Sequence, residues 1–135
     1  MPRIVLMSVF VNDQSKAQDF YTGVLGFVVK YDLPAGDFRW LTLVDPGHPD
    51  GTQLLLEPDQ HPAARAYVSA LYADGIPAAQ FEVDDIHGTH ADLQKRGARI
   101  VQPPTEAGPV SVMVVDDACG NLIQLVTAPG TRPGT

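Results

Sequence analysis

Two stretches of this chain follow one pattern. "SVFVNDQSKAQDFYTGVLGF" near the start and "AQFEVDDIHGTHADLQKRGA" in the second half both read as strand, aspartate, helix, glycine. Aligned on their aspartates, Val9 falls against Phe81, Val11 against Val83 and Asp13 against Asp85, and Gly26 meets Gly97 after a one-residue slip. Further along, "DGTQLLLE" lies over "CGNLIQLV" in the same way. Each half is therefore a β-α-β-β-β unit. A unit of that size is too small to bury a core alone, so the two must share one.

The elements between these landmarks follow from local chemistry. Residues 4–11 are a β-branched run suited to a strand, and Asp13 is placed to cap a helix that continues to Gly26. Strands are predicted over 27–33, 38–44 and 52–57, separated by "PAGD" and "DPGHPDG", which are rich in turn formers. Residues 58–76 form a connector with an Ala-rich helical piece at 63–73. The second unit then runs from about 77 to 127, with strands at 109–115 and 122–126 around the turn "DDACGN". Domain organisation is thus expected as one domain over 1–128, with modules at about 3–57 and 77–127. The tail, 129–135, has too few apolar residues to pack and is expected to be flexible.

Composition removes several classes of function. A formal net charge of −7 leaves no basic surface for a phosphate backbone, so no nucleic acid is expected. No apolar run reaches the ~20 residues of a bilayer span, and "MPRIVLMSVFV" lacks the basic leader and cleavage site of a signal peptide. No membrane partner is expected. One cysteine, Cys119, cannot form an internal disulfide, which suits a reducing compartment; localisation is expected to be cytoplasmic. Its place inside a turn signal favours a structural thiol over a nucleophile.

The motif D-x-x-x-A-x-x-F-Y-x-x-x-L-G-F, from Asp13 to Phe27, together with "DDACGNLIQLV", resembles the vicinal oxygen chelate superfamily. That group includes glyoxalase I, extradiol dioxygenases and bleomycin-binding proteins. "FRWLTL", "LLLEP" and "PAARAY" are similar to a branch whose members mostly carry no assigned activity. The resemblance covers residues 3–128. It implies an α+β fold in which tandem βαβββ modules curl a mixed sheet into a cup, with the helices outside, and it implies a homodimer.

Strand alternation agrees with that layout. Val5, Met7, Val9 and Val11 form a face fit to lie under a helix, leaving Leu6, Ser8 and Phe10 toward the cup. By the same alternation Ala78, Gln80 and Glu82 look inward, as do Leu122, Gln124 and Val126. Metal-dependent members hold one divalent ion with His, Gln or Glu at four slots on these strands. Carried onto this chain, the slots fall at Leu6, Leu55 (or Leu54 after a one-residue slip), Ala78 and Gln124. Leucine and alanine have no lone pair to offer, so no metal and no other cofactor are expected. Gln124 also cannot replace the Glu base of glyoxalase-type isomerisation, because an amide does not titrate near neutrality. Two roles stay open for it: anchoring a ligand's polar atom, or bonding Gln80 or Ser8 across the cup floor.

Other residues are candidates. Trp40 and Arg39 alternate, so one of them faces the cup as a stacking surface or an anion clamp; packing in the core is the alternative for Trp40. Glu57, and with it Glu82, is either an acid at the rim or a solvated strand end. His87 and His90 have chelating spacing, but on a helix outside the cup, and His48 and His61 lie in Pro-rich loops. The ligand-binding set is thus Leu6, Ser8, Phe10, Trp40, Leu55, Glu57, Ala78, Gln80 and Gln124. It describes an apolar cup with a few polar anchors for a small-molecule ligand, sequestered or converted without a metal. The alternative is a metal-dependent glyoxalase-like lyase, isomerase or dioxygenase with ligands such as Glu57.

Overall fold

The structure, a computed structural model, describes residues 1–127; the expected tail at 129–135 lies outside the described residues. Two compact units divide the chain at Val68 and Ser69. The first holds β1 (Leu6–Val11), α1 (Gln14–Gln18), a π-helical turn (Asp19–Val24), β2 (Val28–Ala35), β3 (Phe38–Val44) and β4 (Gln53–Pro58). Helix α2 (Pro62–Ala73) crosses the division. The second holds β5 (Ala79–Glu82), α3 (Ile86–Lys95), β6 (Arg99–Ala107), β7 (Val110–Asp116) and β8 (Leu122–Thr127). The fold is α+β, with two mixed four-stranded sheets ordered β1-β4-β3-β2 and β5-β8-β7-β6. In each, the outer pair β1·β4 or β5·β8 is parallel and the other pairs are antiparallel. No helix among the described residues is long and apolar enough to cross a membrane.

Capping sets the helices as the sequence leads one to expect. The Asp13 carboxylate accepts from the N–H groups of Ser15 and Lys16, and Asp85 accepts from Gly88. The single helix expected from Asp13 to Gly26 is instead a short α-helix that widens into a π turn. There the Thr22 hydroxyl donates to the Gln18 carbonyl at 2.6 Å, a local bond that competes with the regular ladder. The turn drives Phe20 and Tyr21 together into the core, their rings edge to face.

One side of the first sheet, carrying Val9, Val11, Leu41, Leu43, Leu54 and Leu56, is buried with Ala17, Phe20 and Tyr21 of the helical segment. Burying each such leucine contributes about 1.5–3 kcal/mol. In the second unit Met113, Val115, Ile123 and Leu125 form the matching layer with Ile86 and Leu93 of α3. Two expected strands are longer than their patterns. β2 runs through Pro34 to Ala35, and β6 runs through Pro103 and Pro104. Both are edge strands: the nitrogen of Pro34 faces away from β3, and Pro103 and Pro104 fall in the register shift between Gln102 and Thr105, so proline does not stop them. The first strand begins at Leu6 and not at Ile4; only isolated bonds, such as Gln53 N–H to the Val5 carbonyl, precede it.

Candidate functional site

Tight hairpins fix which residues share a face. In the first unit Gly36 (φ +62°) and Asp37 form a two-residue turn that sets Ala35 opposite Phe38. The register then places Leu33 beside Trp40 and Tyr31 beside Thr42. On the other flank Thr42 lies beside Leu55, which lies beside Ser8. The same face carries Leu6 and Phe10 on β1 and Glu57, opposite Phe10, on β4. Six of the nine expected site residues are therefore together on the face of this sheet opposite Val9, Val11, Leu54 and Leu56: Leu6, Ser8, Phe10, Trp40, Leu55 and Glu57.

That face is open where it is aromatic. Trp40 is 41% exposed, Tyr31 46%, Leu33 52% and Phe38 40%, whereas Leu55 is buried. Trp40 is thus not core packing. Sequence reasoning missed Tyr31, Leu33 and Phe38, although the Gly-Asp turn, with Tyr31 and Leu33 before it and Phe38 and Trp40 after it, was the signal that pairs the two strands. Thr42 was missed as well. It is fully buried, and its Oγ1 has no hydrogen-bond partner among the described residues.

Arg39 resolves its own alternative. Its side chain lies on the helix side, where Nε and Nη2 meet Asp32 Oδ1 and Oδ2 at 2.9 and 2.8 Å. Nη2 also donates to Gln18 Oε1 and Nη1 to Ser15 Oγ, so the guanidinium clamps α1 to the β2–β3 hairpin. The bonded guanidinium holds the Asp32 carboxyl below its ordinary value. Gln14 reinforces the clamp, its Nε2 donating to the carbonyls of Arg39 and Leu56 and its Oε1 accepting from Arg39 N–H.

In the second unit β5 and β8 place Gln80 directly opposite Gln124, and Ala78 N–H donates to the Leu122 carbonyl one step back. Gln124 Nε2 donates to Gln80 Oε1 at 2.5 Å. The bond to Gln80, one of the two roles considered for Gln124, is present. Across the same row Val114 lies beside Gln124 and Gln102 beside Val114. The two units also agree on the slots: Leu55 is to Ser8 as Gln124 is to Gln80, while Leu54 belongs to the buried helix side. Among the described residues no group of three or more His, Cys, Asp or Glu could hold a metal ion.

The remaining candidates have local roles. His61 Nδ1 accepts from Ala63 N–H at the start of α2. His48 bonds Asp45 at 2.8 Å, and that contact, with the Gly47 N–H, lowers the Asp45 pKa. Cys119 is buried in a turn built on Asp117, whose Oδ1 accepts from the N–H groups of Cys119 and Asn121. On the same turn Asp116 accepts from the Tyr72 hydroxyl, which raises the Tyr72 pKa.

Residues 3–125 match the family model of the Glyoxalase/Bleomycin resistance protein/Dioxygenase superfamily, and the chain belongs to this superfamily. It is 49% identical over 124 residues to the uncharacterized protein YurT of Bacillus subtilis (strain 168), covering 92% of this chain and 98% of that one. Among solved structures it resembles UcmS2, with a TM-score of 0.81 at 26% identity over 95% of this chain and 99% of that one. It also resembles TnmS3, an antibiotic binding protein from Streptomyces sp. CB03234. There the TM-score is 0.75 at 28% identity, covering 94% of this chain and 96% of that one.

Proposed function

We propose that this protein binds a small, largely apolar organic molecule and sequesters it unchanged, without a metal ion. The observation that carries this is the open aromatic face of Tyr31, Leu33, Phe38 and Trp40. A sheet face with that much exposed aromatic surface is costly in water and suits stacking on a flat ligand. Leu6, Leu55, Ala78 and Gln124 at the four slots supply no ligand set for a transition metal and no carbon acid's base. The likeness to an antibiotic binding protein supports a natural product as the ligand class. The net charge of −7 favours a neutral or cationic molecule over an anion. We read the protein as a cytoplasmic homodimer.

Trp40 is the chain's single tryptophan, so its fluorescence reports this face alone. Titration with a panel of flat aromatic antibiotics should give saturable quenching, lost in Trp40→Leu, and the antibiotic should be recovered chemically intact. Turnover of the bound compound would support the lyase, isomerase or dioxygenase reading. No saturable response to any member of the panel would sink the binding reading.

A further inference from the structure

The bond between Gln124 and Gln80 uses one donor of the first amide and one acceptor site of the second. By the amide inventory, Gln124 Oε1 and the Gln80 amino group are not consumed by it. Rotating both amides by half a turn swaps these roles and leaves one carbonyl and one amino group over. Gln80 is exposed and Gln124 half-buried, so a ligand can reach both. The surroundings are otherwise apolar along β8, with Leu122 and Val126 on the same side as Gln124 and Val114 beside it. Glu82, two residues beyond Gln80 on that side, disfavours an anion. Gln124 also interrupts a strand run otherwise built of Leu, Ile and Val.

We propose that the Gln80–Gln124 pair is a reading site for an uncharged planar group carrying a hydrogen-bond donor and an acceptor together, as a lactam, imide or primary amide does. The pair supplies the acceptor and the donor such a group needs. A ketone, ether or tertiary amide leaves the Gln124 carbonyl unmatched, and the mismatch weakens binding. The mutual bond holds both side chains in place before the ligand arrives, which lowers the ordering cost of two flexible amides. This inference rests on the small-molecule-binding reading and adds the chemical class to it.

The test uses the full chain, isotope-labelled, with side-chain amide resonances assigned through Gln80→Leu and Gln124→Leu. The probe is 2-pyridone, a minimal lactam; the control is N-methyl-2-pyridone, which keeps the ring and the carbonyl but has no donor. 2-Pyridone should shift the Gln80 and Gln124 amide resonances saturably. The control should need roughly fivefold or more higher concentration for the same shift, the consequence of one unmatched hydrogen bond. In Gln124→Leu the Gln80 response should vanish, while the backbone spectrum shows that the variant is folded. Equal responses to the two compounds overturn the proposal, and that comparison needs no variant. The Trp40 indole resonance, followed with a flat aromatic antibiotic in the same sample, separates the two readings. Response at Trp40 without lactam preference at the glutamines overturns only the reading site, and silence at both overturns it together with the binding reading.

Discussion

Thr42 and Gln124 are the two residues whose neighbours do least to explain their identity. Thr42 stands where the second unit has Val114: each lies beside the slot residue of its central strand, Leu55 or Gln124. Valine fits that position in one unit, and the Thr42 hydroxyl is buried without a partner in the other. Thr42→Val should therefore raise stability by about 0.5–1.5 kcal/mol, read as a higher urea midpoint at unchanged slope. A loss of similar size would mean that the hydroxyl is bonded in solution. Gln124 presents the opposite case. Its bond to Gln80 is exposed, so water can replace it, and Gln124→Leu should change stability by less than about 1 kcal/mol. A cost of several kcal/mol would make the pair a structural tie. The face that Gln124 occupies was legible from strand alternation, because Ile123 and Leu125 are the residues fit to lie under a helix. The bond to Gln80 could be named only as one of two roles, since side-chain orientation depends on a neighbouring strand.

At the scale of elements, the Arg39 clamp joins α1 to the β2–β3 hairpin through Asp32, Gln18 and Ser15. Asp32 has its folded pKa depressed by this hydrogen-bonded guanidinium. A depressed carboxylate adds stability above its unfolded pKa and loses it as pH falls through the folded value. The contribution should thus be complete at neutrality and fade below the ordinary Asp value of 3.8. Asp32→Asn should unfold more readily than the parent at pH 7, and the gap should close as pH falls from 3.8 through the lowered folded value. A gap that persists in acid would trace the effect to packing. The strands, the capped helices and the connector helix were legible from alternation, Asp13 and Asp85, and an Ala-rich run. The π turn was not, because Phe20, Tyr21 and Val24 keep spacings that also read as α-helix. The full lengths of β2 and β6 were hidden by prolines, whose tolerance depends on being at a sheet edge.

Over the whole molecule, one topology is used twice with different chemistry on the sheet faces opposite Tyr21 and Leu93. The first unit places Ser8, Leu55, Thr42 and Tyr31 in one row across its sheet, and the second places Gln80, Gln124, Val114 and Gln102 in the matching row. The aromatic character of the first and the amide character of the second follow from side chains and not from backbone, which is why the superfamily's fold alone does not assign a reaction. Among the described residues each sheet also leaves two unpaired edges, β1 and β2 in one and β5 and β6 in the other. Exposed edges and exposed apolar side chains favour association. Light scattering should give twice the 14.5 kDa of the chain, and a mass that stays at one chain across concentrations would exclude the homodimer.

Metal-free binding at the aromatic face is most directly tested by titrating an antibiotic that quenches Trp40 into protein treated with a strong chelator, and again after adding stoichiometric Zn, Ni, Mn or Fe. The slots at Leu6, Leu55, Ala78 and Gln124 call for the same Kd in every sample. Binding that appears only after a metal is restored would contradict the account.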